Sequence, residues 1–243
     1  MNLYFKQILL VSPEQDIESR VDLWVKDGKI EHCSASPCAN IDGAEVIDGQ
    51  GLVAAPGFFD MHVHLREPGF EYKEDIASGT LSAANGGFTG VCCMPNTEPA
   101  IDNATVIEYI KSKTSGNLVD VLPAGAITQG REGKKISQML EMSDSGVKMF
   151  TDDGSTVMDS QTLMRAFEYS SVKDILISQH CEDVSLTQKF TANEGVMSFK
   201  LGLKGYPSVA EEIILSRDIM LAEYCGNRRY HASHISTAGA VEL

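Results

Sequence analysis

The spacing of hydrophobic and polar residues divides the chain into two parts. Before about residue 55, short β-rich runs are separated by polar turns, and the pair Asp27-Gly28 between two of these runs is a strong hairpin signal. The pattern therefore predicts a small antiparallel sheet built from Leu3–Val11, Val21–Lys26, Lys29–His32 and Glu45–Ile47.

From Leu52 onward, short apolar runs alternate with longer amphipathic stretches, which is the pattern of β-α units on a parallel sheet. The last predicted helix has the best-defined start, because Ser208 and Glu211 are spaced as a capping box. The predicted strands are Val53–His62, Thr89–Met94, Val119–Ala124, Gly146–Phe150, Ile175–His180 and Arg229–His234. The predicted helices are Glu74–Asn85, Asn103–Lys113, Lys135–Met142, Ser160–Tyr169 and Val209–Tyr224.

Regular alternation of strands and helices favours an α/β fold of the (β/α)8 TIM barrel type, with a small β-sheet at residues 1–55 and the barrel at residues 56–243. A doubly wound open sheet is the alternative, but the sequence offers no glycine-rich phosphate loop after its first strand. Only six of the eight barrel strands are found, and residues 57–243 are short for a barrel of about 250 residues. We therefore expect an incomplete barrel, either a fragment or one whose missing portion is supplied elsewhere.

Composition and charge narrow the classes of partner. The 34 acidic residues exceed the 20 Lys and Arg residues and leave a formal net charge of −14, which argues against nucleic acid and against an anionic membrane surface. No stretch reaches the length of a transmembrane helix, and Met1–Leu10 reads as a strand and not as a secretory peptide. The six cysteines include no CxxC pair, so reduced thiols in a cytoplasmic protein are expected.

The candidate chemistry begins in the segment from Phe58 to Gly69. Side chains alternate along a strand, so His62 and His64 share one face, with Arg66 on the same side just beyond them. Further candidates follow later strands, where a barrel places its catalytic groups: Asn96, Asp152, Asp153, His180 and His234. Nitrogen and oxygen ligands without thiolate suit zinc, and manganese, cobalt or iron are alternatives.

Two pairs of residues compete for a place in this site. His231 and His234 are three residues apart and should face opposite sides of a regular strand, so we assign His234 as the ligand and His231 as outward-facing. Asp152 and Asp153 compete in the same way. The alternative for both carboxylates is a structural role in the turn at Asp153-Gly154.

Five motifs together resemble dihydroorotases of the amidohydrolase superfamily, and their order and approximate spacing hold from about residue 50 to residue 243. The resemblance implies a zinc-dependent barrel with a small β-sandwich composed of both chain ends. It also implies a small-molecule reaction, the reversible conversion of dihydroorotate and water to N-carbamoyl-L-aspartate in pyrimidine synthesis. The motifs are Asp60-Met61-His62-Val63-His64-Leu65-Arg66-Glu67-Pro68-Gly69, Met94-Pro95-Asn96-Thr97, Phe150-Thr151-Asp152-Asp153-Gly154, Gln179-His180-Cys181-Glu182 and His234-Ile235-Ser236-Thr237.

Carried over by motif, the resemblance assigns roles to individual residues and one or two zinc ions to each chain. His62 and His64 resemble ligands of one zinc, His180 and His234 resemble those of a second, and Asp153 resembles the bridging carboxylate. His64, Arg66 and Asn96 match positions that bind the substrate. The family's general base, an aspartate at the end of the eighth strand, has no counterpart in this sequence. The family is commonly dimeric, which implies a homodimer.

Alternatives remain open for the bridge and for the activity. Related amidohydrolases bridge their metals with a carboxylated lysine, and Lys148 lies close to that place, although it could equally be an outward-pointing strand residue. The competing activities are those of a hydantoinase or an allantoinase. Arg66 and Asn96 argue against them, because these residues suit a substrate with a free carboxylate. A third reading is an inactive barrel that serves as an assembly partner.

Overall fold

In a computed structural model that describes residues 2–243, the chain divides into two compact units, one ending at Phe58 and the other running from Phe59 to Leu243. The first residue of the predicted segment Met1–Leu10 lies outside the described residues. Among residues 2–243, no helix combines the length and the apolarity needed to cross a bilayer.

The first unit is a mixed sheet. Its strands are β1 (Leu3–Ser12), β2 (Ile17–Lys26), β3 (Lys29–Ser34), β4 (Glu45–Asp48) and β5 (Val53–Ala54). Antiparallel pairing joins β1 to β2 and β2 to β3, whereas β4 and β5 pair with β1 in parallel. The prediction of an antiparallel sheet was therefore wrong for β4, because the long loop before Glu45 lets the chain return in the direction of β1. Val53 and Ala54, predicted to begin the first barrel strand, instead pair with β1.

The predicted hairpin at Asp27-Gly28 is present between β2 and β3. Both residues have positive φ, 50° and 77°, as a two-residue type I′ turn requires. Glycine meets this requirement without strain, and a short polar aspartate tolerates it better than most residues do. The turn and the buried side chains of Ile8, Val21 and Leu23 together fix the register of the hairpin.

The first strand of the second unit is shorter than predicted. Val53–His62 was predicted as one strand, but β5 ends at Ala54 and the next strand, β6, spans Phe58–Val63. Pro56 explains the interruption, because proline has no N–H to donate to a sheet ladder and Gly57 after it weakens extended pairing further.

Six strands of the second unit lie side by side in chain order. They are β6, β7 (Phe88–Cys93), β8 (Asp120–Pro123), β9 (Met149–Phe150), β10 (Leu176–Gln179) and β13 (Tyr230–Ala232). Strand β7 is parallel to β8, and β10 is parallel to both β9 and β13. Gly125 connects the two halves, since its N–H donates to Met149 O at 3.0 Å and its carbonyl accepts from Thr151 N at 2.9 Å. The C-terminal ends of these strands therefore meet along one edge.

Five helices follow the strands where the periodicity predicts them, and side-chain caps set the starts of three of these. Asp75, Asn103 and Asp159 each accept a hydrogen bond from a backbone N–H in the first turn of the helix that follows. The helices are α1 (Ile76–Asn85), α2 (Ala104–Thr114), α3 (Met139–Asp144), α4 (Ser160–Ser170), α5 (Val184–Thr187), α6 (Val196–Lys200), α7 (Val209–Tyr224) and α8 (Ala238–Glu242). The predicted helices are α1 to α4 and α7, of which α3 begins later than predicted. Helices α5 and α6 were not predicted, nor were the short strands β11 (Ala192–Asn193) and β12 (Gly205–Tyr206) that flank α6.

The predicted capping box of α7 does not form. Ser208 has helical torsions, φ −53° and ψ −37°, and its side chain makes no capping hydrogen bond. The carboxylate of Glu211 instead accepts the backbone N–H groups of Ser236 and Thr237 at 2.9–3.0 Å. Because Ser208 has helical torsions and does not act as a cap, the Glu211 side chain binds the loop that leads into α8.

Helices and strands share one large apolar core. Side chains of α2, α3 and α4 pack with those of the strands, and Ile107, Met142, Phe150, Phe167 and Ile177 are fully buried in this cluster. A core of this density holds the strand ends in fixed positions. The loops at those ends can therefore present polar side chains with defined geometry.

Candidate metal centre

All of the predicted ligands lie at the C-terminal ends of neighbouring strands. His62 is the penultimate residue of β6, and His64 comes directly after the strand. Later in the chain, Asp153, His180 and His234 follow β9, β10 and β13. Strand order therefore brings residues from distant parts of the sequence to one edge of the sheet.

The carboxylate of Asp153 stands at the centre of the cluster. Its Oδ1 lies 3.2 Å from His62 Nε2 and 3.6 Å from His234 Nε2, and its Oδ2 lies 3.7 Å from His64 Nε2. His62, Asp153 and His234 each offer one ligand atom, and these three atoms lie within 4.8 Å of one another. This spacing is compatible with a shared cation, since imidazole and carboxylate donors are the usual ligands of zinc and similar ions.

His180 joins the cluster through His234. The two rings have centroids 4.9 Å apart, and His180 Nδ1 lies 3.2 Å from His234 Nε2. On the other side of its ring, His180 Nε2 lies 2.9 Å from Glu182 Oε2. Three imidazoles thus face the carboxylate of Asp153, and His180 adds a fourth beside His234. Nitrogen and oxygen donors of this kind fit a metal ion such as zinc.

The electrostatics of Asp153 suit a ligand. Burial alone would raise the pKa of this carboxyl, but the hydrogen bonds from His234 and His62 outweigh burial and hold the pKa well below its usual range. The same hydrogen bond to Asp153 raises the pKa of His234, whereas burial lowers the pKa of His64. Asp153 is therefore a carboxylate at neutral pH.

The structure separates the two competing aspartates. Asp152 is fully buried, and its oxygens accept the backbone N–H of Thr128 at 3.0 Å and the hydroxyl of the same residue. Burial is the largest influence on Asp152 and raises its pKa. Asp152 fixes the loop after β9, and Asp153 faces the histidines.

The two competing histidines differ from the prediction in one respect. The strand ends at Ala232, and His234 reaches Asp153 from a left-handed backbone with φ 35°. His231 pairs in register with Ser178, whose hydroxyl bonds that of Ser233, whereas the Tyr230 hydroxyl bonds Asp218 of α7 on the other face. His231 therefore lies on the face of β13 opposite α7. The prediction that it points outward was wrong, because the alternation of side chains ends with the strand at Ala232 and the left-handed torsion of His234 turns that side chain toward Asp153.

Asn96 bridges two members of the cluster. Its Oδ1 lies 3.0 Å from His64 Nδ1, and its Nδ2 donates to Asp153 Oδ2 at 3.1 Å. Because an amide oxygen can only accept, His64 carries its proton on Nδ1 and turns the unprotonated Nε2 toward Asp153. One N–H of the amide remains for another partner.

Arg66 lies beside this group with an uncommitted guanidinium. Its backbone is left-handed, with φ 63°, and its side chain is half-buried and close enough to His64 to lower the pKa of that imidazole. Within residues 2–243, its guanidinium has no hydrogen-bond or ion-pair partner. A planar cation in this position can accept a carboxylate.

Sequence reasoning missed Arg131, Thr156 and Glu182. Arg131 Nη2 donates to the carbonyl of Asp153 at 2.5 Å, and its Nε is buried without a partner among the described residues. Thr156 and Glu182 contact the His180 segment. Only Glu182 had a visible signal, since it lies two residues after His180, whereas a charged residue between Gly130 and Gly133 looks like an ordinary turn.

The structure places Lys148 apart from the histidines. Lys148 is exposed at the start of β9 and lines a cleft with Met61, Cys92 and Leu176. The histidine cluster does not contribute to that cleft. Of the two candidate bridging groups, Asp153 alone contacts the cluster.

Comparison with known proteins gives consistent matches. A family model described as "Dihydro-orotase-like" matches residues 51–240. Dihydroorotases of Trichlorobacter lovleyi and Pelotomaculum thermopropionicum are 46% and 45% identical to this chain over its whole length. The chain spans only 57% and 56% of the length of these two relatives.

Solved structures match the fold at lower sequence identity. An L-hydantoinase (dihydropyrimidinase) from Arthrobacter aurescens superposes with a TM-score of 0.78 at 22% identity, over 99% of this chain and 54% of that one. A D-hydantoinase superposes with a TM-score of 0.77 at 24% identity, over 100% of this chain and 54% of that one. These matches show a shared mixed α/β fold.

Proposed function

The chain belongs to the dihydro-orotase-like family, whose model matches residues 51–240, and from this premise we propose that it forms the metal-holding part of a zinc-dependent dihydroorotase. The proposed reaction is the reversible hydrolysis of the cyclic amide of dihydroorotate to N-carbamoyl-L-aspartate in pyrimidine synthesis. The observation that carries the proposal is the convergence of three imidazoles, those of His62, His64 and His234, on the carboxylate of Asp153. Asn96 donates to the same carboxylate, and His180 lies against His234.

The residues that would hold zinc fall into two groups that share Asp153. The resemblance puts His62 and His64 in one group and His180 and His234 in the other, and two ions per chain is the arrangement that we propose. In the structure, His62 and His234 face Oδ1 of Asp153, and His64 faces Oδ2. Bound zinc supplies a Lewis acid for the amide carbonyl and lowers the pKa of a coordinated water. The ionised state of Asp153 and the Nδ1 proton of His64 leave the donor atoms free for this role.

Arg66 and Asn96 supply the substrate side of the proposal. The guanidinium of Arg66 can bind a carboxylate through two parallel hydrogen bonds, which orients the ring as well as attracting its charge. Asn96 has one N–H left over after its bond to Asp153 and can donate it to the same carboxylate. A substrate with a free carboxylate, such as dihydroorotate, uses both residues.

The proposed architecture is a TIM barrel of which this chain forms six strands. The side-by-side order of β6 to β10 and β13, with site residues at their C-terminal ends, supports it. No residue in the described range takes the role of the general base that the resemblance places on the eighth strand. Activity is therefore to be measured on protein that includes that strand.

The test compares two cyclic amides. We expect purified zinc-loaded protein containing this chain and the eighth strand to hydrolyse dihydroorotate, with little turnover of hydantoin, which lacks the carboxylate. The reverse preference would replace the proposal with a hydantoinase, the activity named for the solved structures of similar fold. Absence of turnover together with absence of bound zinc would leave the inactive assembly partner.

Surroundings and assembly complete the proposal. All six cysteines are free, which supports a reducing compartment such as the cytoplasm. A homodimer is the assembly that the resemblance implies, and light scattering of the purified protein tests it.

A further inference from the structure

We propose that Glu182 is a positioning residue that fixes the proton of His180 on Nε2 and so turns Nδ1 into the metal-facing atom. The inference rests on the proposed function only in taking His180 as a zinc ligand. His180 Nε2 lies 2.9 Å from Glu182 Oε2, while Nδ1 lies 3.2 Å from His234 Nε2, the atom that faces Asp153. A carboxylate only accepts hydrogen bonds, so the nitrogen that faces it must carry the hydrogen. The lone pair is then on Nδ1, where a ligand atom is needed.

Glu182 is itself held in place. Its other oxygen, Oε1, accepts a hydrogen bond from the hydroxyl of Thr187, which is buried at the end of α5. The carboxylate thus stands between a buried hydroxyl and an imidazole, and its side chain is only 18% exposed. A charge-assisted hydrogen bond in such a half-buried place is stronger than one at the surface.

The backbone around His180 is tied to the loop that carries Asp153. Thr156 lies three residues after Asp153, and its hydroxyl donates to the carbonyl of His180 at 2.7 Å. The same hydroxyl accepts from the backbone N–H of Glu182 at 3.2 Å. Thr156 therefore sets where the His180 segment lies, whereas Glu182 sets which way the imidazole presents its nitrogens.

A parallel arrangement exists on the opposite side of the cluster. Asn96 Oδ1 faces His64 Nδ1 and leaves Nε2 of that ring toward Asp153. His64 and His180 thus present different nitrogens to the cluster, and each is set by an acceptor on the other nitrogen. Side chains in this role typically change metal affinity by about 10- to 100-fold when they are removed.

The test uses zinc affinity and the tautomer of His180, and neither needs turnover. We expect Glu182→Ala, in protein that contains this chain and the eighth strand, to weaken zinc binding by about 10- to 100-fold, measured by competition with a chromophoric chelator. In the metal-free protein, ¹⁵N NMR should show His180 protonated on Nε2 in the wild type and a mixture of tautomers in the variant. Glu194→Gln removes one negative charge from an exposed site in the same segment and should leave both readouts unchanged.

A second variant guards against loss of folding. Thr187→Val removes only the hydroxyl that holds Glu182 and should weaken zinc binding in the same direction by a smaller factor. If circular dichroism shows that Glu182→Ala is unfolded, the zinc affinity of Thr187→Val tests the role of Glu182 instead.

The inference is overturned if folded Glu182→Ala binds zinc as tightly as the wild type, or if His180 of the wild type carries its proton on Nδ1. For Thr187→Val, unchanged zinc affinity counts against it. A wild-type protein that binds zinc but does not hydrolyse dihydroorotate would contradict the proposed function. That outcome would not contradict the role of Glu182, which is tested by zinc affinity and by the tautomer of His180.

Discussion

Two residues reach the candidate site only because their backbones are left-handed. Arg66 has φ 63° and His234 has φ 35°, and neither is glycine. Such torsions cost of order 1–3 kcal/mol for residues with a side chain. The surrounding contacts hold both loops, since Phe70 N donates to Arg66 O at 3.1 Å and Glu211 binds the loop after His234. These two strained positions aim the guanidinium and the imidazole at the cluster.

Replacing Arg66 with lysine tests its proposed contact with the substrate carboxylate. Lysine keeps the positive charge but loses the planar pair of donors, so we expect KM for dihydroorotate to rise by about 10- to 100-fold, from the 1.5–3 kcal/mol of a charged hydrogen bond. Steady-state kinetics measure this change. Arg165→Lys, on the exposed face of α4, is the matched control and should leave KM unchanged. An unaltered KM in Arg66→Lys removes Arg66 from the substrate site.

At the scale of single elements, Glu211 connects two helices, α7 and α8. It lies in the first turn of α7, yet its carboxylate accepts the N–H groups of Ser236 and Thr237 at the start of α8. Glu211 is buried, so these hydrogen bonds are protected from water. The loop that carries His234 is thereby attached to α7.

Substitutions at the start of α7 distinguish this arrangement from a capping box. Glu211→Ala leaves two backbone donors without an acceptor and should lower the free energy of unfolding by about 1–3 kcal/mol in urea titrations. Ser208→Ala should change it by no more than about 0.5 kcal/mol, because the Ser208 side chain caps nothing. Asn103→Ala, at a cap that does form, should cost about 1 kcal/mol. A loss in Ser208→Ala equal to that in Asn103→Ala contradicts this account.

The sheet of the first unit contains a carboxyl group whose ionisation stabilises it. The Tyr4 hydroxyl donates to Asp22 Oδ2 at 2.6 Å, and Gln7 donates twice to Oδ1 at 3.0 Å. The hydrogen bond from Tyr4 is the largest influence on Asp22, and these donors, helped by His32, lower its pKa below the ordinary 3.8 despite burial. A carboxyl with a lowered folded pKa contributes stability above its unfolded pKa and loses it as pH falls through the folded value.

Asp22→Asn should therefore have a pH-dependent effect. We expect a loss of about 1–3 kcal/mol at neutral pH, where the wild-type carboxylate accepts three hydrogen bonds. The difference from wild type should narrow as pH falls below the ordinary pKa of an aspartate and through the lowered pKa of folded Asp22. Denaturant titrations between pH 3 and pH 7 measure it, with Asp27→Asn in the exposed hairpin turn as the control for losing one carboxyl group. A difference that stays constant across this range contradicts the role of Asp22.

At the scale of the whole molecule, the sequence supplies most of the site through strand alternation. His62 and His64 could be placed on one face, and the ends of later strands could be expected to add ligands, because both follow from backbone periodicity. The orientation of His231 could not be predicted, since it depends on where a three-residue strand stops and on the left-handed torsion of His234. Hydrogen-bond partners such as Glu182 and Arg131 depend on loop geometry that no periodic pattern encodes.

Zinc binding should stabilise the whole second unit, because the proposed ligands come from strands spread between His62 and His234. At zinc concentrations 100-fold above the dissociation constant, binding contributes about 2.7 kcal/mol, which corresponds to a rise in melting temperature of about 5–10 °C. Scanning calorimetry with zinc and with a chelator measures the shift. His180→Gln should lose most of it, and His32→Gln, outside the cluster, should retain it. An equal shift in both variants would show that zinc acts elsewhere.

The central claim is that Asp153 and four histidines hold the metal. Anomalous diffraction at the zinc absorption edge, from crystals of zinc-loaded protein, tests it most directly. We predict anomalous density among His62, His64, Asp153, His180 and His234, with an unmodified Lys148 outside it. Density at any other place, or a carboxylated Lys148 bridging two ions, would contradict the account.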